Sequence, residues 1–465
     1  MGPYRGVGAP WPPGPSNPCN GDCRYLPAMG PMPPGDCRKC KKGKCDGKSC
    51  DGGAGYGPGV GPGMGPCMTG ACGAGLGPCG GPGGYGGAGG YGGPGGCGPG
   101  AYGKDPCPLK SFCDPGLNNT CNAGPLINPC GPRRAVTTWK VNYLVSNRPN
   151  QASHVDAALV NPWGIVVYNN QIWVANGGTD SITNYDLFGN KLLGSVTIRD
   201  ADHNPSYPTG IAINCGGGFT ATNGTLTKAG LLLIVTEHGT VHSFNPNVDS
   251  LRAFLVLNSQ LTGEVSVYRG IALANNTMYL ADFFQGHIDV FDASYGRVRG
   301  LNFIDGDTSD PVPLDYGPSN IVHIGCYLYV LWARRNPVVP LQDIDGPGNG
   351  FISVFNLDGS FVKRFTSRGV LNAPWAMIPA PCECGFPPGS FLVGNNGDGA
   401  INIFDCNGGY VGPLLNQSGL PIFIEGLWGL APHYTDFSEI FFASAPNENI
   451  DGILGSITRD QIIYF

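Results

Sequence analysis

The sequence predicts an all-β protein: a six-bladed β-propeller of four-stranded blades, its last blade closed by an N-terminal strand, preceded by a disulfide-rich irregular N-terminal region. Three observations predict it. Of the 77 Gly, 43 Pro and 19 Cys in 465 residues, 39 Gly, 23 Pro and 14 Cys fall before residue 135. Beyond that point a short signature recurs six times at a mean spacing of about 53 residues, within the range of propeller blades. After each recurrence come two apolar runs with period-two alternation, broken by Gly, Asn and Asp, which read as a β-hairpin.

Residues 1–134 contain no periodic apolar stretch, so they cannot bury enough surface to offset their chain entropy. Gly55, Gly57, Gly59, Gly61, Gly63 and Gly65 recur at every second position, whereas a collagen helix needs every third, so collagen is excluded. Cys19, Cys23, Cys37, Cys40, Cys45, Cys50, Cys67, Cys72, Cys79, Cys97, Cys107, Cys113, Cys121 and Cys130 are spread through the segment, and an even set of this density reads as a disulfide network. Zinc is the alternative, with Cys37, Cys40, Cys45 and Cys50 as four thiolates, although the segment has no His and no second CxxC unit. The N-terminus shows no apolar core of a secretion signal, so oxidation needs another source, such as a particle that carries its own thiol oxidase.

A spare strand, Trp139-Lys140-Val141-Asn142-Tyr143-Leu144-Val145, precedes the first repeat, and the last repeat runs out at Ile462-Ile463-Tyr464-Phe465. Pairing the two would complete the sixth blade and remove exposed sheet edges. The six repeats start at Asn161-Pro162-Trp163-Gly164, Tyr207-Pro208-Thr209-Gly210, Tyr268-Arg269-Gly270, Gly317-Pro318-Ser319-Asn320, Ala373-Pro374-Trp375-Ala376 and Gly426-Leu427-Trp428-Gly429. Their hairpins are QIWVAN with SITNYD, LLLIVTE with TVHSFN, TMYLAD with HIDVFD, YLYVLWA with FISVFN, SFLVGN with AINIFD, and EIFFAS with GILGSIT. Two domains follow: a cross-linking region over 1–134 and a propeller over 135–465.

Charge divides along the same line. Residues 1–134 carry 12 Lys+Arg against 6 Asp, and the remainder 15 against 27 acidic residues. A basic leader on an acidic body favours docking between copies, with polyanion binding through Arg38, Lys39, Lys41, Lys42, Lys44 and Lys48 as the competing use. No apolar run reaches the roughly 20 residues of a membrane span, so no membrane insertion is expected. HExxH, GxSxG and the phosphate-binding P-loop pattern are absent, so neither a recognised catalytic motif nor specific nucleic-acid binding is indicated.

Candidate sites are few. Trp163, Arg269, Asn320, Trp375 and Trp428, at the repeat starts, are candidates for binding a ligand in the central channel, against the alternative that they wedge blades together. Asn447, Asn449 and Asp451 alternate oxygen atoms before Gly452 as a calcium loop does, although the position of the closing Glu is Thr458. The alternative there is a side-chain-capped turn, which also accounts for Asp305-Gly306-Asp307 and Asp343-Ile344-Asp345. No cofactor is expected beyond a possible calcium or zinc ion. The scattered histidines read as strand and loop residues, and Cys215, Cys326, Cys382, Cys384 and Cys406 as further disulfide cysteines with partners elsewhere.

Two resemblances add to this reading. The succession NYLVSNRPN, LVNPWGI, YPTGI, TEHGTVHSFNP, YRGIALA, LNAPWAM, LVGNNGDGAINIFD, EGLWGL and NENIDGILGSI resembles a family of uncharacterised, usually exported six-bladed β-propellers over residues 141–458. It departs at Ala376, where the family tends to have Gly, and the family implies a fold without an activity. The Cys/Gly/Pro-rich leader resembles those of surface-fibre proteins of amoeba-infecting giant viruses. With the cysteine-rich basic leader and the absence of a catalytic motif, the expectation is a non-enzymatic structural protein on a virion surface or outside the cell. It would assemble with itself through its disulfide-linked leader, and its possible further partners are other surface proteins or glycans. The alternative is a tethered lactonase- or esterase-like propeller that uses its channel, with Asn320 and Asp282 imitating part of a metal set.

Overall fold

The computed structural model describes residues 135–199, 205–263, 265–339, 341–381, 386–387, 389–433 and 439–464. The expectations placed on residues 1–134, and on Cys382 and Cys384, lie outside them. The described residues form an all-β propeller with six blades around one axis. Blade 1 comprises Pro162–Tyr168, Gln171–Asn176, Ser181–Asp186 and Val196–Thr197, from the inner strand outward. Blade 2 is Pro208–Ile213, Leu232–Thr236, Thr240–Phe244 and Phe254–Asn258, with a small added hairpin at Thr220–Thr222 and Thr227–Ala229. Blade 4 is Tyr316–Ile324, Tyr327–Arg334, Gly350–Asn356 and Phe361–Ser367, and blade 5 is Pro374–Pro379, Phe391–Asn395, Ile401–Phe404 and Tyr410–Pro413.

Blade 3 departs from the expected four strands. It has Tyr268–Ala274, Thr277–Asp282 and His287–Asp292, and its outer edge is a single bridge between Phe291 and Arg297. The chain from there to Tyr316 contains Gly300, Pro311 and Pro313, which weaken or prevent a regular ladder. Val298, Leu301 and Phe303 from this segment pack on the core between blades 3 and 4 in place of a strand.

Blade 6 is built from both ends of the propeller. Leu427–Pro432, Glu439–Ser444 and Ile453–Tyr464 come from the C-terminal end, and the outer strand is Ala135–Ser146. This closing strand is longer than the sequence suggested. It pairs antiparallel with the last strand from Ala135 against Tyr464 to Ser146 against Ile453, with two bulges. Trp139 and Val145, at 1% and 0% exposure, anchor it in the core. Its end is pinned by Asn147: the backbone N–H donates to Gly452 O (3.2 Å) and the side-chain oxygen accepts from Gly452 N (3.0 Å).

The apolar core lies between blades, because each sheet must bury both faces. Trp173, Ile182 and Val196 of blade 1 pack on Ile211, Leu232 and Phe244 of blade 2, and Leu392 and Ile403 of blade 5 pack on Leu427, Leu430 and Phe442 of blade 6. Among the described residues, helix is confined to a 3-10 turn at Ser259–Thr262 and one turn at Pro446–Asn449. None of them is long and apolar enough to cross a membrane.

Closure therefore rests on one strand and one large side chain. Trp139→Ala should lower stability by about 3–5 kcal/mol, the usual cost of emptying a buried Trp site. The indole N–H of Trp139 has no hydrogen-bond partner, so Trp139→Phe should cost clearly less. Equal denaturant midpoints for the two variants would show that burial of the ring is not what holds the strand.

Candidate functional site

The inner strand of every blade carries a β-bulge near its start, which re-aims a side chain. In blades 3, 4, 5 and 6 the ladder skips one residue: Arg269, Ser319, Trp375 and Trp428. In blades 1 and 2 the shift spans Trp163-Gly164 and Thr209-Gly210. Matching positions around the ring are thus Trp163, Thr209, Arg269, Ser319, Trp375 and Trp428.

These six residues divide the ring by size. Blades 5, 6 and 1 contribute Trp375, Trp428 and Trp163. Trp163 stacks on Trp428 at 3.4 Å between centroids, and Trp375 meets both edge-on at 6.3 and 6.0 Å. Blade 3 contributes Arg269, 2% exposed, whose guanidinium lies 5.5 Å from the Trp163 ring and 3.8 Å from that of Phe283. Blades 2 and 4, which flank Arg269, contribute hydroxyls that turn away from the axis to the next blade. Thr209 Oγ1 donates to Tyr268 O (2.7 Å) and Ser319 Oγ to Pro374 O (2.6 Å).

Small residues let the inner strands approach one another. A Cβ on Gly429 would fall 2.5 Å from Trp163 O, and one on Gly164 2.6 Å from Thr209 O. Gly270 and Gly429 pair with Ala281 and Ala443 on the second strands of blades 3 and 6. In blade 5 the order is exchanged, Ala376 pairing with Gly394. The departure of the sequence at Ala376 is thereby compensated across the ladder.

Asn320, a channel candidate, lies one residue past the ring position. Its Nδ2 donates to Trp375 O (2.7 Å) and its Oδ1 accepts from Ile321 N (2.8 Å), so it ties blade 4 to blade 5. Sequence reading missed Ser319 because only the bulge register distinguishes it from its neighbour. The other four candidates do come together at the axis, as a packed layer.

Beside that layer lies a group of carboxylates. Arg269 Nη1 pairs with Asp343 Oδ1 at 3.1 Å and Nη2 donates to Leu341 O at 2.6 Å. Burial pushes the Glu237 carboxyl up, Arg269 draws it back and Asp343 raises it again. Asp345 is pushed up to about 6, by desolvation first and then by repulsion from Asp343 and Asp398. The sequence showed Asp343 and Asp345 only as turn residues; the contact of Asp343 with Arg269, 74 residues away, depends on tertiary packing. Arg269 is thus held between one paired acid, Asp343, and the rings of Trp163 and Phe283, with Glu237 near enough to feel its charge. Among the described residues here, no nucleophile paired with a base is evident.

The metal candidates lie in the turn between the second and third strands of blade 6. Asn447, Glu448 and Asn449 have φ of 58°, 55° and 66°, three successive left-handed residues. Asn447 N donates to Glu425 Oε1 (2.8 Å), and Asn449 Oδ1 faces Trp428 Nε1 (3.4 Å). The Asp451 carboxylate accepts from Arg148 Nε (2.5 Å), Asn147 Nδ2 (3.1 Å) and Asn447 Nδ2 (3.2 Å). Protein N–H groups thus face the oxygens that a calcium ion would need. An open pocket of about 410 Å³, lined by residues including Tyr143, Gln151, Glu425 and Asp451, adjoins them. Cys215, Cys326 and Cys406 are each disulfide-bonded. His242 is buried and contacts Thr240 Oγ1 at 3.0 Å, whereas His238 packs edge-on against Tyr207, so the two do not form a pair.

Ring, closure and blade count define a six-bladed β-propeller. The chain belongs to a family of proteins from Acanthamoeba polyphaga mimivirus. It is 70% identical over 362 residues to "Uncharacterized protein L690", covering 78% of this chain and 97% of that protein. It is 68% identical over 372 residues to "Uncharacterized protein R648", covering 79% and 93%. No family model matches. Among solved structures, a protein of unknown function from Bacteroides thetaiotaomicron is similar, with a TM-score of 0.45 and 13% identity over 70% of this chain and 76% of that one.

Two pH effects of opposite sign follow. Burial raises the Asp451 carboxyl, but hydrogen bonds from Arg148, Asn147 and Asn447 and the charge of Arg148 outweigh it, and the net shift is downward. A lowered folded pKa gives stability that is present above the unfolded value of about 3.9 and is lost as pH falls through the folded value. Asp451→Asn should therefore destabilise at pH 7 and have little effect at the acid end of that window. Asp345, raised to about 6, contributes stability present below about 3.9 that is lost as pH rises toward 6. Asp345→Asn should raise Tm at pH 7 and leave it unchanged near pH 4. Thermal melts across pH check both, and a parallel response of the two variants would contradict the assignment.

Proposed function

We propose that the chain is a structural protein of a giant-virus particle surface, self-assembling into a fibre or coat through its Cys-rich leader, with the propeller as rigid building block. The observation that carries this reading is the axial layer. Trp163, Trp375, Trp428 and Arg269 pack against one another where channel-based propellers would hold a ligand, a feature that favours rigidity over turnover. Membership in a mimivirus family supports the viral setting, and the disulfide-bonded Cys215, Cys326 and Cys406 support an oxidised protein. The leader's excess of Lys and Arg against the acidic remainder supplies attraction between copies, and cross-links would replace the apolar core that the leader lacks. The opposing reading, a ligand-binding or hydrolytic propeller, draws on the unusual carboxyls of Glu237 and Asp345; turnover of lactones or esters that Asp345→Asn abolishes would establish it.

The test is electrophoresis of protein from its native source, with and without reductant, followed by mass spectrometry of linked peptides. High-mass ladders that collapse on reduction, joined through cysteines between Cys19 and Cys130, are expected. A monomer whose leader thiols are free or zinc-bound would overturn the assembly mechanism.

A further inference from the structure

Blades 1, 2 and 3 place polar side chains at matching points of their central hairpin: the last residue of the second strand, and the first and third residues of the strand after it. In blade 1 these are Asn176, Ser181 and Thr183, with Asn176 Nδ2 donating to both hydroxyls (3.4 and 3.0 Å). In blade 2 they are Thr236, Thr240 and His242, linked in a chain at 2.7 and 3.0 Å. Blade 3 has Asp282, His287 and Asp289. An amide and hydroxyl network in blade 1, and a hydroxyl and imidazole chain in blade 2, are replaced there by two carboxylates and an imidazole.

The geometry of this third set differs in kind. One oxygen of each carboxylate and one ring nitrogen of His287 lie within 4.8 Å of one another. Asp282 is fully buried. Its Oδ1 accepts from Val267 N (3.1 Å) and Gln285 N (3.0 Å). Among the described residues its Oδ2 has no partner of full hydrogen-bond geometry, and the Ser266 hydroxyl lies beside the carboxylate. A buried carboxylate oxygen without a partner is costly. Asp289, 3% exposed, accepts from Tyr268 Oη (2.8 Å) and contacts His287 Nε2 (3.1 Å) and Arg297. Arg297 pairs with Asp289, whereas the charges acting on Asp282 are those of His287 and Arg335. The His287 side chain is 47% exposed, so the cluster opens to solvent on that side.

The geometry points to a divalent metal site in the central hairpin of blade 3, with Asp282, His287 and Asp289 as its ligands. Two carboxylates and one imidazole suit a borderline transition ion of the Mn²⁺ to Zn²⁺ series, whereas calcium and magnesium take oxygen ligands. The surroundings orient the ligands as second-layer groups do in metal sites. Two backbone N–H groups fix Asp282 so that one oxygen is left over, and Tyr268 with Arg297 fixes Asp289. An ion would give that leftover oxygen its missing partner and join two strands of the blade that lacks a regular outer strand. The site does not depend on the assembly reading.

Mn²⁺ is the probe of choice on the full chain, because it favours oxygen and imidazole over the thiolates of the leader. Electron paramagnetic resonance titration should show one Mn²⁺ held per chain, with hyperfine coupling to a single imidazole nitrogen. His287→Ala and Asp282→Asn should each weaken binding at least about tenfold. Because the His287 ring is half-exposed, His287→Ala should fold normally by circular dichroism and decides the matter if Asp282→Asn does not fold. No stoichiometric uptake by the wild type at millimolar Mn²⁺ would overturn the assignment, as would uptake that His287→Ala leaves unchanged.

Discussion

A ring of sheets has no free end, so the sixth blade must take its outer strand from the opposite terminus of the propeller or leave an edge open. Here the pairing of Ala135–Ser146 with Ile453–Tyr464 meets that constraint, and the rest of the structure depends on it. Inter-blade packing is complete only when blade 6 and blade 1 face each other. The Trp163–Trp428 stack is itself a contact across this seam. The Asn147–Gly452 hydrogen bonds and the Arg148–Asp451 ion pair fasten the end of the closing strand to the turn that precedes the last strand.

The axis follows from the same logic. Six bulges present six side chains to a narrow space, and size complementarity decides which combinations fit. Three indoles from consecutive blades occupy one side, and one guanidinium flanked by two hydroxyls occupies the other. Arg269 is held there by the rings of Trp163 and Phe283 and by Asp343 and Leu341. The charge buried at the axis is therefore answered by the loop of blade 4, while burial and acid–acid repulsion, against the pull of the guanidinium on Glu237, raise the Glu237 and Asp345 carboxyls. The axis is thereby filled by side chains from several blades.

Blade 3 is the irregular member of the ring. Its outer strand is replaced by Val298, Leu301 and Phe303 packing from a coil, and its hairpin carries ionisable groups where blade 1 carries only amide and hydroxyl groups. Repeat proteins concentrate specialised chemistry in the units that depart from the pattern, because the regular units are bound by the packing they share.

Much of this was legible from the sequence. The blade number and the hairpins followed from period-two alternation and turn residues, and the closing strand from an unpaired apolar run before the first repeat. The tryptophans and Arg269 could be placed at blade starts because the repeat signature aligned them. What could not be read was anything decided by register or by distance along the chain. Ser319 and Asn320 are adjacent in sequence and both bond to blade 5, yet only the bulge register shows which of them matches the ring positions, since a single-residue shift reverses the face a side chain takes. The contacts of Arg148 with Asp451 and of Arg269 with Asp343 span 303 and 74 residues. The sequence pairs Asp282 with Asn320 as part of a metal set, whereas strand pairing puts Asp282 on one face with His287 and Asp289. The sequence by itself determined the local pattern of strands and turns, because alternation and backbone preference act over a few residues. Only the tertiary structure decided which polar groups meet, because that depends on the angle and register at which distant strands pack.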